Sequence, residues 1–114
     1  MLTEVGFLAA ARADVVHAES IFGALERLRP ERSFPYIGMA MCYLNAGRHD
    51  DAARVLERAA KAVVTEDVDE VQAVRALALQ MAGRASECDR ALKAAGNHPV
   101  ALALQGLGQG TITP

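Results

Sequence analysis

Histidine and cysteine are the residues of this chain best suited to nucleophilic or metal chemistry, and their spacing supports neither. His17, His49 and His98 lie far apart, and no two of them stand one turn apart on a predicted helix, where they could bind a metal ion together. Cys42 and Cys88 form no Cys-x-x-Cys pair, and neither has a histidine nearby in sequence to act as a base. We interpret both thiols as buried and free, in a reducing compartment. We therefore predict no metal site, no cofactor and no catalytic residue.

Two further patterns resemble ligand-binding loops. Residues 106–110 are rich in glycine, but they follow a predicted helix and no helix follows them, whereas a dinucleotide loop lies between a strand and a helix. An acidic cluster comprises Glu66, Asp67, Asp69 and Glu70. This cluster lacks the alternating carboxylates and central glycine of a calcium loop. We interpret it as part of a solvated connector over residues 64–69.

Composition and charge indicate one helical domain without a nucleic-acid surface. The chain has 114 residues, of which 52% are hydrophobic and only 4% aromatic, with alanine and leucine dominant. The net charge of −2 gives no basic face, and we interpret the arginine-rich residues 27–32 as a solvated helix end. Glu4 and Arg12 argue against a signal peptide, and no apolar run approaches the roughly 18 residues of a membrane span. We expect a cytoplasmic protein.

Apolar residues recur at spacings of three and four, and turn residues divide this pattern into helices. Asp14 is a plausible N-cap, Pro30 ends the helix that Asp14 begins, and Pro35 suits the first turn of the next helix. Gly47 and Gly83 each end a helix. The predicted helices cover residues 3–13, 14–29, 34–46, 50–63, 71–81, 86–95 and 100–107.

The chain also nearly repeats itself. Ala46-Gly47-Arg48 and Ala82-Gly83-Arg84 each separate two predicted helices, 36 residues apart, and an earlier copy of the pattern lies 34 residues before Gly47. Periods of this size are typical of stacked helical hairpins. We predict an all-α, right-handed superhelical stack of about three hairpins with a short C-terminal capping helix. Residues 1–107 would form this single domain, and residues 108–114 a flexible tail.

The middle unit, residues 34–66, sets large, small and turn residues in a recognisable order. The residues that carry this order are Tyr36, Met39, Ala40, Tyr43, Gly47, Ala52, Leu56 and Ala59, and Gly83 is the turn glycine of the next unit. In this order the chain resembles the tetratricopeptide repeat family. The resemblance implies that the alanines allow close helix contact, the aromatic rings fill the remaining gaps, and glycine permits the turn. The outer two units are degenerate: Gln72 and Arg75 stand where the family has large apolar residues.

The same resemblance implies a binding groove, because the first helix of each hairpin lines the concave face in that family. The corresponding residues here are Phe7, Phe34, Ile37, Met41, Leu44, Leu77 and Met81. This set is apolar and would suit the apolar face of an amphipathic helix, and methionine makes such a groove adaptable. Alternatively, these side chains pack against one another or against the final helix. An open groove would also be a natural site for self-association into a homo-oligomer.

Three segments, residues 24–30, 53–56 and 98–104, look like small tetratricopeptide-like proteins of bacterial type III secretion. Several members of that group chaperone a needle or export subunit in the cytosol. The resemblance implies a non-catalytic chaperone of the bacterial cytoplasm that holds an amphipathic helix of such a subunit. The alternatives are an adaptor that joins two partners without chaperone activity and a small enzyme with an unrecognised site.

Overall fold

The computed structural model describes residues 2–96 together with residues 102 and 103, and it describes no side chain for residues 2–5 or for Phe7. The helices are α1 (Leu2–Ala11), α2 (Val15–Leu28), α3 (Phe34–Asn45), α4 (His49–Ala62), α5 (Thr65–Met81) and α6 (Ala85–Ala95). This part of the chain contains no strand, so the predicted all-α class is confirmed for it. Leu102 and Ala103 are helical, and the rest of the predicted segment 100–107 and the tail 108–114 lie outside the described residues.

The turns after α1, α3 and α5 share one backbone conformation. Ala13, Gly47 and Gly83 have positive φ angles of 55°, 77° and 75°. In each turn the following residue donates its backbone N–H to the carbonyl five residues earlier, at 2.8–2.9 Å. This is the Schellman ending of a helix, which suits glycine because the left-handed conformation crowds a Cβ. The repeat seen in the sequence is therefore a repeat of turn geometry, with Ala13 in the first copy.

The six helices pack as successive neighbours. Each helix contacts the next one along the chain, and in addition α1 contacts α3 and α3 contacts α5. Just over half of the buried hydrophobic residues in the described part are alanines, which let helix axes approach closely. Gly38 marks the tightest approach, since a Cβ there would overlap the ring of Phe22 in α2.

The residues assigned to repeat packing lie mostly in this core. The predicted packing residues of α3 and α4 are buried: Tyr36, Ala40, Tyr43, Ala52, Leu56 and Ala59. The two large aromatic residues also use their hydroxyl groups. The Tyr36 hydroxyl donates to the Pro30 carbonyl (2.8 Å), and the Tyr43 hydroxyl donates to Glu19 (3.0 Å). The core thus has small residues at its close helix contacts, and the hydroxyl groups of its two tyrosines are hydrogen-bonded at its edge.

The prediction of a connector over residues 64–69 is wrong, because α5 begins at Thr65. Glu66 and Asp67 occupy its first turn, where the helix dipole favours carboxylates. Asp67 is only 8% exposed: it accepts a hydrogen bond from the backbone N–H of Ser33 (2.8 Å) and pairs with Arg32 (3.1 Å). The acidic residues that suggested a solvated link therefore start a helix and fasten it to the beginning of α3.

Candidate functional site

Among the described residues, one histidine is paired with a carboxylate, and this pair lies at the start of a helix. Asp14 accepts a hydrogen bond from the backbone N–H of His17 (3.3 Å) and lies 2.6 Å from the Nδ1 atom of that ring. These hydrogen bonds from His17 lower the pKa of Asp14. The prediction of Asp14 as the N-cap of α2 is confirmed, and the His17 side chain is 73% exposed. No group of three or more histidine, cysteine, aspartate or glutamate side chains in the described part could hold a metal ion.

The two thiols are poorly suited to reaction. Cys42 and Cys88 are free and buried, as the sequence predicted. Burial raises the pKa of each thiol and so suppresses the reactive thiolate.

An outer cleft of about 400 Å³ lies between α2 and α4, with α3 beneath it. Its lining residues are Glu19, Phe22, Gly23, Glu26, Met39, Tyr43, Asp51, Arg54, Val55 and Arg58. The charged groups here bind one another: Arg58 pairs with Glu26 (3.2 Å), and Arg54 pairs with Asp51. A charged ligand would have to displace these internal pairs, so the charges of the outer cleft are a weak basis for a binding site.

The predicted groove residues of α3 and α5 are apolar and at least partly exposed, and we call this set the inner strip. Its members are Phe34, Ile37, Met41, Leu44, Leu77 and Met81. Met41 and Met81 are 45% and 46% exposed, and the other four are half-buried and pack against the core. The predicted member Phe7 lies in α1, but its side chain is not described.

Two side-chain hydrogen bonds connect α3 to α5 and to α1 near the inner strip. Glu70 stands two turns before Leu77 on α5, and it accepts a hydrogen bond from the Ser33 hydroxyl (3.0 Å) beside Phe34. At the other end of α3, the Asn45 side chain donates to the carbonyl of Ala10 in α1 (2.9 Å). α3 is therefore bonded to α5 near its start and to α1 at its end.

Sequence reasoning missed the polar residues that connect these helices. The interhelical hydrogen bonds are made by Ser33, Asn45, Asp67 and Glu70, and none of these residues was predicted to do so. The available signal was their separation. The bonded partners are 34 to 37 residues apart in sequence, which is close to the repeat period.

The other exposed large apolar side chains of the described residues lie on α1 and α2 and at Leu102. Val16 and Leu28 lie at opposite ends of α2 and are 76% and 71% exposed, and Leu8 of α1 is 53% exposed. Single apolar side chains on a surface are ordinary, whereas a contiguous apolar patch marks a binding surface. The inner strip is the better candidate because its two exposed methionines are accompanied by four half-buried apolar residues on the same two contacting helices.

Comparison of the chain with protein-family models, curated proteins and solved structures gave no match. None of the helices in the described part combines the length and apolar character needed to cross a bilayer.

Proposed function

We propose that this chain is a non-catalytic protein-binding domain that holds an amphipathic helix of another protein on its inner strip. The observation that carries the proposal is the exposure of Met41 and Met81, 45% and 46%, on contacting helices whose neighbouring apolar residues are half-buried. Unbranched methionine side chains fit varied apolar partners because they are flexible and polarisable. A helix laid in an apolar groove is a recurrent mode of peptide recognition.

The proposed architecture is a right-handed superhelical stack of three hairpins, similar to tetratricopeptide repeats. Three features support it: the common geometry of the turns at Ala13, Gly47 and Gly83, the contacts of α3 with both α1 and α5, and the interhelical bonds about one repeat apart. In such a stack the first helices of the hairpins line the concave side, which is the side assigned here to the inner strip.

The dimensions of the inner strip suit a short helix. Its α3 members run from Phe34 to Leu44, a rise of about 15 Å, so a partner helix of roughly three turns would cover it. Fully burying a methionine side chain is worth about 1.5–3 kcal/mol, so burying the exposed half of Met41 and Met81 would contribute about 2 kcal/mol together. That contribution corresponds to about a 30-fold change in affinity.

The narrower proposal is a bacterial cytoplasmic chaperone for a needle or export subunit of type III secretion. Its support is the resemblance of residues 24–30, 53–56 and 98–104 to small proteins of that system. An apolar strip would cover the subunit's own apolar helix and so prevent its early polymerisation.

The test of the proposed function is Met41→Glu, assayed with a needle subunit of the same bacterium by co-expression and calorimetry. A carboxylate in the buried contact should weaken binding by more than about 30-fold, since an unpaired buried charge adds to the lost apolar area. Val16→Glu is the matched control, because Val16 is 76% exposed on α2, and it should leave binding unchanged. Unaltered binding by Met41→Glu would refute the proposal, and loss of helical circular dichroism would assign Met41 to the core instead.

An adaptor that joins two proteins is the second candidate. The outer cleft between α2 and α4 would be its second surface, to which a partner would bind by displacing the ion pairs of Arg54 and Arg58. Co-expression separates the two roles. A chaperone raises the soluble level of its subunit, whereas an adaptor leaves that level unchanged.

A further inference from the structure

The two ends of the inner strip differ in charge. Where α5 begins, it carries three exposed carboxylates, Glu66, Asp69 and Glu70, which we call the acidic rim. Where α3 and α5 end, the exposed polar residues Asn45 and Gln80 are uncharged. The contact between Glu70 and Ser33 places Glu70 beside Phe34, at one end of the inner strip, and Glu66 stands one turn before Glu70 on the same side of α5.

The negative charge of the acidic rim is not cancelled by nearby cations. Glu66 and Asp69 form no ion pair with any other described residue, and the hydroxyl that binds Glu70 is neutral. Arg32 reaches this end, but it is bound to Asp67 at 3.1 Å. The dipole of α5 acts mainly on its first turn, so it compensates Glu66 more than the other two carboxylates.

The geometry points to the kind of helix that fits this surface, given the protein-binding function proposed above. We propose that the bound segment is an amphipathic helix whose apolar face ends in a cluster of lysine or arginine side chains, and that this basic end lies over the acidic rim. Glu70 stands seven residues before Leu77, which is about 10 Å along the helix axis. The basic cluster should therefore lie about two turns beyond the partner's residue that covers Leu77.

The experiment uses two synthetic helical peptides with the same leucine face, one ending in three lysines and the other in three glutamates. Binding is measured by fluorescence anisotropy to the full chain and to the double variant Glu66→Gln/Asp69→Asn. Because each peptide is compared with itself across the protein variants, differences in peptide helicity cancel. Glu70 is left intact since it is bonded to Ser33. The control variant, Glu57→Gln/Asp89→Asn, removes two exposed carboxylates from α4 and α6 and changes the net charge equally.

The lysine peptide should bind the acidic-rim variant about threefold to tenfold more weakly than it binds the natural chain, the effect expected of two exposed ion pairs. The glutamate peptide should bind the variant equally or more tightly, and the control variant should behave as the natural chain does. High ionic strength should remove the difference.

The proposal is overturned if the lysine peptide binds the acidic-rim variant and the natural chain equally. In that case the proposed function still stands if both peptides bind through their leucine face and Met41→Glu abolishes this binding. If neither peptide binds the natural chain, the basic-ended helix and the apolar docking surface both fail.

Discussion

Replacing Asp67 by alanine tests whether the start of α5 fastens the inner strip in place. The Asp67 carboxylate accepts the backbone N–H of Ser33 at 2.8 Å and pairs with Arg32 at 3.1 Å. Asp67→Ala leaves the Ser33 N–H buried without that partner. It also releases Arg32, whose side chain is 52% exposed.

The expected loss follows from these contacts. Losing a charged acceptor for a buried N–H costs about 1.5–3 kcal/mol, and a half-exposed ion pair adds up to about 1 kcal/mol. Alanine is the better helix former, which offsets about 0.5 kcal/mol of this loss in the free energy of unfolding. We expect a net loss of about 2 kcal/mol in the free energy of unfolding, within a range of roughly 1 to 3.5 kcal/mol. Asp67→Asn should lose less, because an amide oxygen still accepts from Ser33.

The measurement is urea unfolding followed by far-ultraviolet circular dichroism. Asp69→Ala is the control, because it removes an exposed and unpaired carboxylate from the same helix, and its effect should stay within about 0.5 kcal/mol. Equal stability of Asp67→Ala and Asp69→Ala would refute the reasoning, since it would mean that the buried bond to Ser33 contributes nothing.

Three glycine and alanine substitutions test the packing and the turns by the same unfolding assay. Gly38→Ala should destabilise the protein by about 1 kcal/mol or more, because the new Cβ overlaps the buried ring of Phe22; unchanged stability would contradict this close approach of α2 and α3. Gly23→Ala should stabilise it by about 0.5–1 kcal/mol, because the nearest atom to the new Cβ is 3.7 Å away and alanine favours the helix; a loss would show that α2 is more crowded there. Ala13→Gly should add up to about 1 kcal/mol by relieving a positive φ of 55°, and a clear loss would show that Ala13 does not hold that conformation.

Local signals in the sequence predicted the helices and their turns well, because short-range physics sets both. The N-cap at Asp14, the proline in the first turn of α3 and the glycine endings of α3 and α5 all depend on residues within a turn of each other. The half-exposed positions of Met41 and Met81 also follow from helical spacing once the core faces are known.

The start of α5 was not predictable in the same way, because its first turn is stabilised by a residue that is distant in sequence. The stretch from Val64 to Asp69 is polar and β-branched, which suggests a connector. In the fold, Asp67 binds Ser33 and Arg32, which lie just before α3, and the Val64 N–H donates to the Glu31 carbonyl at 2.9 Å. Only the repeat period, applied to polar as well as apolar residues, would have connected positions 33 and 67.

The inner strip depends on the packing between helices and not on any one helix. Ser33 and Asp67 are 34 residues apart, and Asn45 and Ala10 are 35 residues apart. The first bond joins the residue before α3 to α5 and the second joins α3 to α1, so the bond of Asp67 helps to hold the apolar residues of α3 and α5 in their relative positions. It follows that Asp67→Ala should weaken partner binding as well as folding. Because Asp67 is only 8% exposed, its contribution is screened little by salt, and the weakening should persist at ionic strengths that abolish the effect of the acidic rim.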